Sequence, residues 1–409
     1  MIQAIYYFLF ALTLLYGLYF LFTSFFAFFD MRKDKIKKSK PKYKFGVLIA
    51  ARNEAEVIGN LVKSLKAQNY PKDMYEIFVI ANNCTDNTAE VAKKEGATIL
   101  DCTVPVKTKG DVLKFVFKKL ENNKNVDAYI IFDADNVVDK NFITRMNDTL
   151  CAGYRVAQGF RDSKNMTDNW LSGSYSLFYY IQNFFFSKSR SNVGLSASIN
   201  GTGFMVKKDV IKEYGFNPKT LTEDIEFTGQ CAINGVRIAF VEDTITYDEQ
   251  PTSFKASWKQ RSRWSIGSMQ CSKYYSGKLL KGFFTKGSVA CLDMFLNYLA
   301  AYFQILGFFL AIVLTLFYLF GVELYDIFSY MFAYGFVFMV VVYLLNILIN
   351  IFILHYNNKP IKKTMPAIIL FTVFILTWIP INIVCLFKKK QTWEPIKHTR
   401  SVDIDSINK

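Results

Sequence analysis

The sequence predicts an α/β domain, a parallel sheet with helices on its faces, joined to α-helical transmembrane segments. Apolar runs at residues 4–28, 287–320, 328–354 and 364–387 each reach the ~20 residues that a bilayer-crossing helix needs. Between the first two, short apolar runs alternate with helical periodicity, the pattern of strands linked by crossover helices. A chain that is 52% hydrophobic and 17% aromatic is also too apolar to be soluble throughout.

In chain order, the run 4–28 lacks a basic start and a small-residue cleavage site, so it reads as a retained anchor rather than a secretory leader. Arg32, Lys33, Lys35, Lys37, Lys38, Lys40, Lys42 and Lys44 follow it, and positive flanks mark the cytoplasmic side. The expected organisation is an N-terminal transmembrane helix (1–30), a cytosolic α/β domain (31–253), amphipathic interfacial helices (254–286), a transmembrane region (287–387) and a tail (388–409). Such a chain is a multi-pass protein of the cell membrane. Lysines beside the spans, drawn to anionic headgroups of the lipid bilayer, account for much of the net charge of +15, so nucleic acid is not an expected partner. Seven cysteines without paired spacing point to reduced thiols and no zinc.

Within the polar region, strands are expected at Phe45–Ala50, Glu76–Ile80 and Ala128–Phe132, and helices near Glu56–Gln68 and Thr88–Glu95. Ligands of open α/β sheets gather at the carboxyl ends of strands. Ala51, Arg52, Asn53 and Glu54 should therefore meet Asn82, Asn83 and Asp86, and also Asp133 and Asp135, in one crevice. Neither a G-x-G-x-x-G after the first strand nor a phosphate-binding G-x-x-x-x-G-K-[ST] is present, which argues against dinucleotide enzymes and P-loop NTPases. Trp170–Phe186 and Phe254–Phe284 read as helices at the membrane surface, or alternatively as buried helices of the domain.

Asp133-Ala134-Asp135 puts two carboxylates on a tight turn, suited to a hard divalent cation shared with a diphosphate, although acidic turns are common. Thr222-Glu223-Asp224 opens a helical stretch, where acidic residues either cap the helix or serve as a base toward an attacking hydroxyl. In Gln260-Arg261-Ser262-Arg263-Trp264 the indole is a membrane anchor or a face for a sugar ring, and Gln260 and Arg263 can donate to pyrophosphate oxygens.

In this order the three motifs resemble the D-x-D, T-E-D and Q-x-x-R-W signatures of processive, membrane-integrated family 2 glycosyltransferases, the cellulose, hyaluronan and mixed-linkage β-glucan synthases. The likeness runs over nearly the whole chain. It implies a GT-A (Rossmann-like) catalytic domain in which Asp133 and Asp135 hold Mg²⁺ or Mn²⁺. Asp224 would be the general base, beside Glu223 and Thr222. Ala51, Arg52, Glu54, Asn82, Lys109, Asp133, Gln260 and Arg263 would surround a UDP-sugar donor, and Gly201, Thr202, Gly203, Phe204 and Trp264 a polysaccharide acceptor. Where the family has an aspartate at the nucleobase this chain has Asn82, whose carbonyl can still accept from uracil. The tail Thr392–Arg400 is either a disordered basic segment or a gate that brings His398 and Arg400 to the diphosphate.

The implied activity is inverting polymerisation of a β-glucan, cellulose-like or mixed 1,3/1,4-linked, from UDP-glucose, with polar residues of the spans facing the moving chain. A single transfer to a lipid, or another β-glycan such as a UDP-GlcNAc polymer, stands as the alternative. Four single spans would leave the tail outside, whereas Lys388, Lys389 and Lys390 argue for inside. One run is therefore expected to be no simple span, and 287–320, with Asp293, Asn297 and Gln304, is the candidate.

Overall fold

The computed structural model describes residues 2–31, 35–322, 328, 330, 334–388, 400–402 and 404. Strands β1 (Phe45–Ala51), β2 (Tyr75–Ala81), β3 (Thr98–Asp101) and β4 (Ala128–Asp133) run parallel in the order β3-β2-β1-β4. β1 is apolar at every position because both faces are covered. Leu48 joins one core with Ile80, Ile131 and Val116, while Val47 and Ile49 join the other with Val79, Phe132 and Leu61. The helices over these faces are α2 (Ile58–Lys66), α3 (Thr88–Lys94), α4 (Lys109–Lys119) and α5 (Phe142–Cys151).

The expectation of a parallel sheet holds for this half alone. The sheet continues β4-β7-β6-β8-β5, with β5 (Val137–Val138), β6 (Val156–Ser163), β7 (Phe204–Lys207) and β8 (Ile238–Asp248). β7 lies antiparallel to both β4 and β6, and β8 runs parallel to β6, so the sheet is mixed. The second half also differs at α6 (Trp170–Ile181), which is no amphipathic surface helix. Leu171, Tyr175, Leu177, Tyr179 and Tyr180 are buried all round it, because the later helix Ile361–Leu376 packs along its outer side. Gly173 permits that approach: a Cβ there would stand 2.6 Å from Ala367 Cβ. α6 passes through a π-helical segment, Gln182–Lys188, into α7 (Ser189–Asn192). Two further helices, α8 (Lys208–Tyr214) and α9 (Glu223–Ile233), precede α10 (Phe254–Lys286), a single helix of 33 residues.

Among the described residues, four helical runs are long and apolar enough to cross a membrane: Ile2–Phe28, Ala300–Leu319, Gly335–Tyr356 and Ile361–Phe387. The first contains α1 (Ile2–Phe25). The run 287–320 is two helices meeting at Leu299: α11 (Val289–Tyr298), whose Cys291, Met294 and Tyr298 pack on Ala232 and Cys271, and α12 (Ala300–Leu319). Asp293 of α11 forms a buried pair with Arg190 at 2.9 Å and accepts from Tyr19 of α1 at 2.7 Å, tying the first span to the sheet domain. After α13 (Gly335–Tyr356), the last run is also broken, at Thr377, into α14 (Ile361–Leu376) and α15 (Trp378–Phe387). Lys359, just before it, pairs with Asp162 at 2.6 Å, and Cys385, near its end, reaches the Ser262 carbonyl at 3.6 Å.

Candidate active site

Because Ala50 pairs with Asp133 and Ala51 with Ala81, the ends of β1, β2 and β4 open side by side into a cavity of about 620 Å³. Ala51, Arg52, Glu54, Asn82, Asp133 and Asp135 all line it. The loops turn sharply at Asn53 (φ 58°) and Asn83 (φ 48°), left-handed conformations that asparagine tolerates. Asn82 Oδ1 already accepts from Asn83 Nδ2 at 3.1 Å. Asp86 points elsewhere: its carboxylate accepts from the Ala55 and Thr88 amides and holds the loop to the start of α3.

Lys109, the first residue of α4, donates to Asp133 Oδ1 at 2.5 Å and to the Gly201 carbonyl at 2.6 Å. Asp135 is buried and accepts from the Glu249 amide at 3.0 Å. No group of three or more His, Cys, Asp or Glu side chains among the described residues is arranged to hold an ion unaided. Two carboxylates on one turn do fit a cation such as Mg²⁺, which keeps several waters and is held by one or two carboxylates together with substrate phosphates.

Sequence reasoning missed Asp248, Glu249 and Arg161, which also line the cavity. Asp248 ends β8 as Asp133 ends β4, and that strand-end position was its available signal. Burial, joined by the charges of Asp135 and Asp133 and opposed by Arg161, pushes its carboxyl up to about 6. Arg161 donates to Asp248 at 2.7 Å and to the Asn200 carbonyl at 2.8 Å, with its guanidinium 4.0 Å from the Tyr179 ring centre.

α9 brings Glu223 and Asp224 into the cavity. Burial raises both carboxyls; the charge of Asp224 raises Glu223 further, and Lys109 and Arg263 lower both. A Cβ on Gly201 would stand 3.2 Å from Asp224 Oδ2, so at this position (φ 80°) the backbone itself lies against the carboxylate. Thr222 also lines the cavity, packed on Gly267 of α10. From α10 come Gln260, Arg263 and Trp264, whereas Arg261 is buried, donating to Thr377 Oγ1 at 2.7 Å with its guanidinium 4.5 Å from the Phe374 ring.

Three of the expected acceptor residues do not line the cavity. Thr202 donates through its hydroxyl to Asn136, the Gly203 amide donates to the Ile131 carbonyl at 2.9 Å, and Phe204 pairs with Ile131 in β7. Their bonds are spent on the floor beneath Asp133; Gly201 is the member of that loop's four that faces the space. His398 lies outside the described residues. Arg400 reaches the rim, its amide donating to Glu249 at 2.9 Å, but its guanidinium pairs with Asp168, which is not a lining residue, rather than with the carboxylate crevice. Away from the sheet, the cavity continues between helices along Phe20 and Ser24 of α1, Asn297 and Gln304 of α11 and α12, and Trp378 and Asn382 of α15.

The model of the family described as "Glycosyltransferase like family 2" matches residues 41–267. Among curated relatives, the probable glycosyltransferase YdaM of Bacillus subtilis (strain 168) is 27% identical over 59% of this chain and 58% of its own length. A beta-monoglucosyldiacylglycerol synthase of Nostoc is 25% identical over 58% of this chain and 51% of its own. The chain thus spans little more than half the length of these relatives. Among solved structures, the mannosyltransferase PcManGT of Pyrobaculum calidifontis, in complex with GDP-Man and Mn²⁺, superposes with a TM-score of 0.61, covering 95% of this chain and all of that one, at 15% identity. That likeness is one of fold.

Proposed function

The chain belongs to glycosyltransferase family 2 and has the GT-A fold, and from this premise we propose that it polymerises a β-glycan, from UDP-glucose in the first instance, with inversion at the anomeric carbon. The observation that carries the proposal is the continuity of the cavity. It joins Asp133 and Asp135 to Asp224, passes Trp264, and runs between apolar helices along Ser268, Asn297, Gln304 and Asn382. Amide and hydroxyl side chains among apolar helices are expensive unless they pair with one another, as Asn382 does with Gln304, or face water or polar cargo.

In this reading the acceptor hydroxyl lies against Asp224, which takes its proton as the oxygen attacks the anomeric carbon from the face opposite the diphosphate. The glycosidic bond forms while the bond from carbon to phosphate oxygen breaks, and the departing diphosphate takes up the negative charge. Lys109, Gln260 and Arg263 stand around it as donors. A divalent cation held by Asp133 and Asp135 would neutralise further charge on the same group.

A second reading, one transfer to a lipid, draws on Phe20, Phe185 and Phe186 along the same cavity and on the diacylglycerol named for the Nostoc relative. Purified protein in lipid, given labelled UDP-glucose and Mn²⁺, separates the two. Label in a polymer cleaved by linkage-specific β-glucanases supports polymerisation; label confined to solvent-extractable lipid supports the single transfer. Label in neither overturns both for this donor.

A further inference from the structure

Two successive peptide carbonyls beside Asp224 are each held by a cation. The Gly201 carbonyl accepts from Lys109, which also donates to Asp133 at the end of β4. The Asn200 carbonyl accepts from Arg161 Nη1 at 2.8 Å, and Arg161 also donates to Asp248 at the end of β8, through Nε at 2.7 Å and through Nη2. Lys109 and Asp133 have places in the reaction proposed above. Arg161 and Asp248 have none, although both line the same cavity.

The second pair is deeply enclosed, with side chains 11% and 4% exposed, and two such charges need each other. An ammonium group would suffice to neutralise Asp248. Arg161 does more: Nε and Nη2 form one edge of its planar fork and Nη1 lies on the other, so a single rigid group joins the end of β8 to the Asn200 peptide. Asn200 is tied elsewhere too, its amide donating to Gln158 Oε1 at 2.9 Å and its Oδ1 accepting from Gln182 at 3.1 Å. The next residue is Gly201, whose backbone lies against Asp224 Oδ2. A shift of the Asn200 carbonyl therefore reaches the wall on which the Asp224 carboxylate rests.

We propose that Arg161, anchored on Asp248, is a positioning residue: by holding the Asn200 carbonyl it sets the Gly201 backbone against Asp224 and so fixes the direction in which that carboxylate meets the acceptor hydroxyl. The proposal rests on the reading of Asp224 as the base, and it is the same for polymerisation and for a single transfer.

The test uses the full chain in lipid nanodiscs with labelled UDP-glucose and Mn²⁺, and reads all label transferred, whatever the product. Arg161→Lys keeps the charge beside Asp248 and removes the fork. It is expected to lower kcat by about 10–10²-fold, the effect of a misplacement of about 1 Å. Unchanged UDP affinity, measured by calorimetry, shows that the variant is folded, and Arg161→Gln carries the test if Arg161→Lys fails that control. The same substitution is then made in the Asp224→Asn protein. A residue that acts through the base has nothing left to position there, so the residual rate should stay within about twofold, whereas a general loosening of the site would lower it by the full factor again. That full additive loss, or wild-type kcat in a folded Arg161→Lys protein, would overturn the positioning role. Wild-type kcat in Asp224→Asn alone would instead remove the base reading, and the positioning role with it.

Discussion

The role we propose for Asp224 as base draws on three features: burial, contact with the Gly201 backbone, and two cations, Lys109 and Arg263, that favour its ionised form. Replacing it by Asn keeps the shape and removes the proton acceptor. Asp224→Asn should lower kcat by about 10²–10⁴-fold, the usual worth of general base catalysis, while UDP still binds by calorimetry. An active variant would remove the assignment. The pH dependence follows in sign. Burial raises the Asp224 pKa, only the ionised carboxylate accepts a proton, and so kcat/KM rises as pH climbs through that raised value. Lys109 pulls the same pKa down. Lys109→Met should therefore shift the acid limb of the kcat/KM profile to higher pH, and a limb that stays put would show that Lys109 serves the phosphates alone.

Among the elements, α9 and α10 meet through a missing side chain. A Cβ on Gly267 would stand 2.3 Å from Thr222 Oγ1 and 2.8 Å from Thr222 Cβ, so the helix carrying the Gln260–Trp264 motif packs directly on the residue before Glu223 and Asp224. Gly267→Ala overpacks that contact, which typically costs about 1–3 kcal/mol. It should lower the thermal midpoint and, by moving the Thr222–Asp224 segment, reduce kcat by up to about 10²-fold, measured beside UDP affinity. A variant with wild-type kcat would show that this packing does not set the position of Asp224. Such contacts explain what the sequence could and could not tell. The ends of β1, β2 and β4 were legible because each strand closes with an apolar run that stops at polar residues, and parallel strands of that kind bring their ends together. Arg161 was not legible, because β6 and β8 pair across some eighty residues of chain and nothing local marks the partnership, and Asp248 offered only its place at a strand end. α6 stood between a membrane-surface helix and a buried helix of the domain for a similar reason: its Leu- and Tyr-rich outer face suits either place until α14, nearly two hundred residues later, covers it. Thr202 shows the converse, a residue correctly placed in its loop whose hydroxyl was already committed beneath the site.

For the whole molecule, the same contacts lead to a prediction of how the chain threads a bilayer. The sheet domain touches the end of the first run, where the Phe26 carbonyl accepts from Asn192, and α11 just before α12, where Asp293 pairs with Arg190. It also touches the end of α13, where Tyr356 donates to Glu242 at 2.8 Å, and the start of the last run, where Lys359 pairs with Asp162, while the end of that run meets α10, where Cys385 reaches the Ser262 carbonyl. Runs one, two and three each have one end on the domain and one away from it. The fourth, broken at Thr377, begins on the domain and ends against α10, so we expect it to stay on the domain's side instead of crossing. Three crossings would then put the N-terminus opposite the domain and the C-terminus on its side, which agrees with Lys388, Lys389 and Lys390 as positive residues expected on the cytoplasmic side and with Ser401 accepting from Asn60 of α2. Green fluorescent protein fused after Lys409 should accordingly fluoresce, and alkaline phosphatase at the same position should be inactive, since each reporter works on one side of the membrane only. An active phosphatase fusion would mean that α14 and α15 together cross the bilayer and would overturn the three-crossing arrangement.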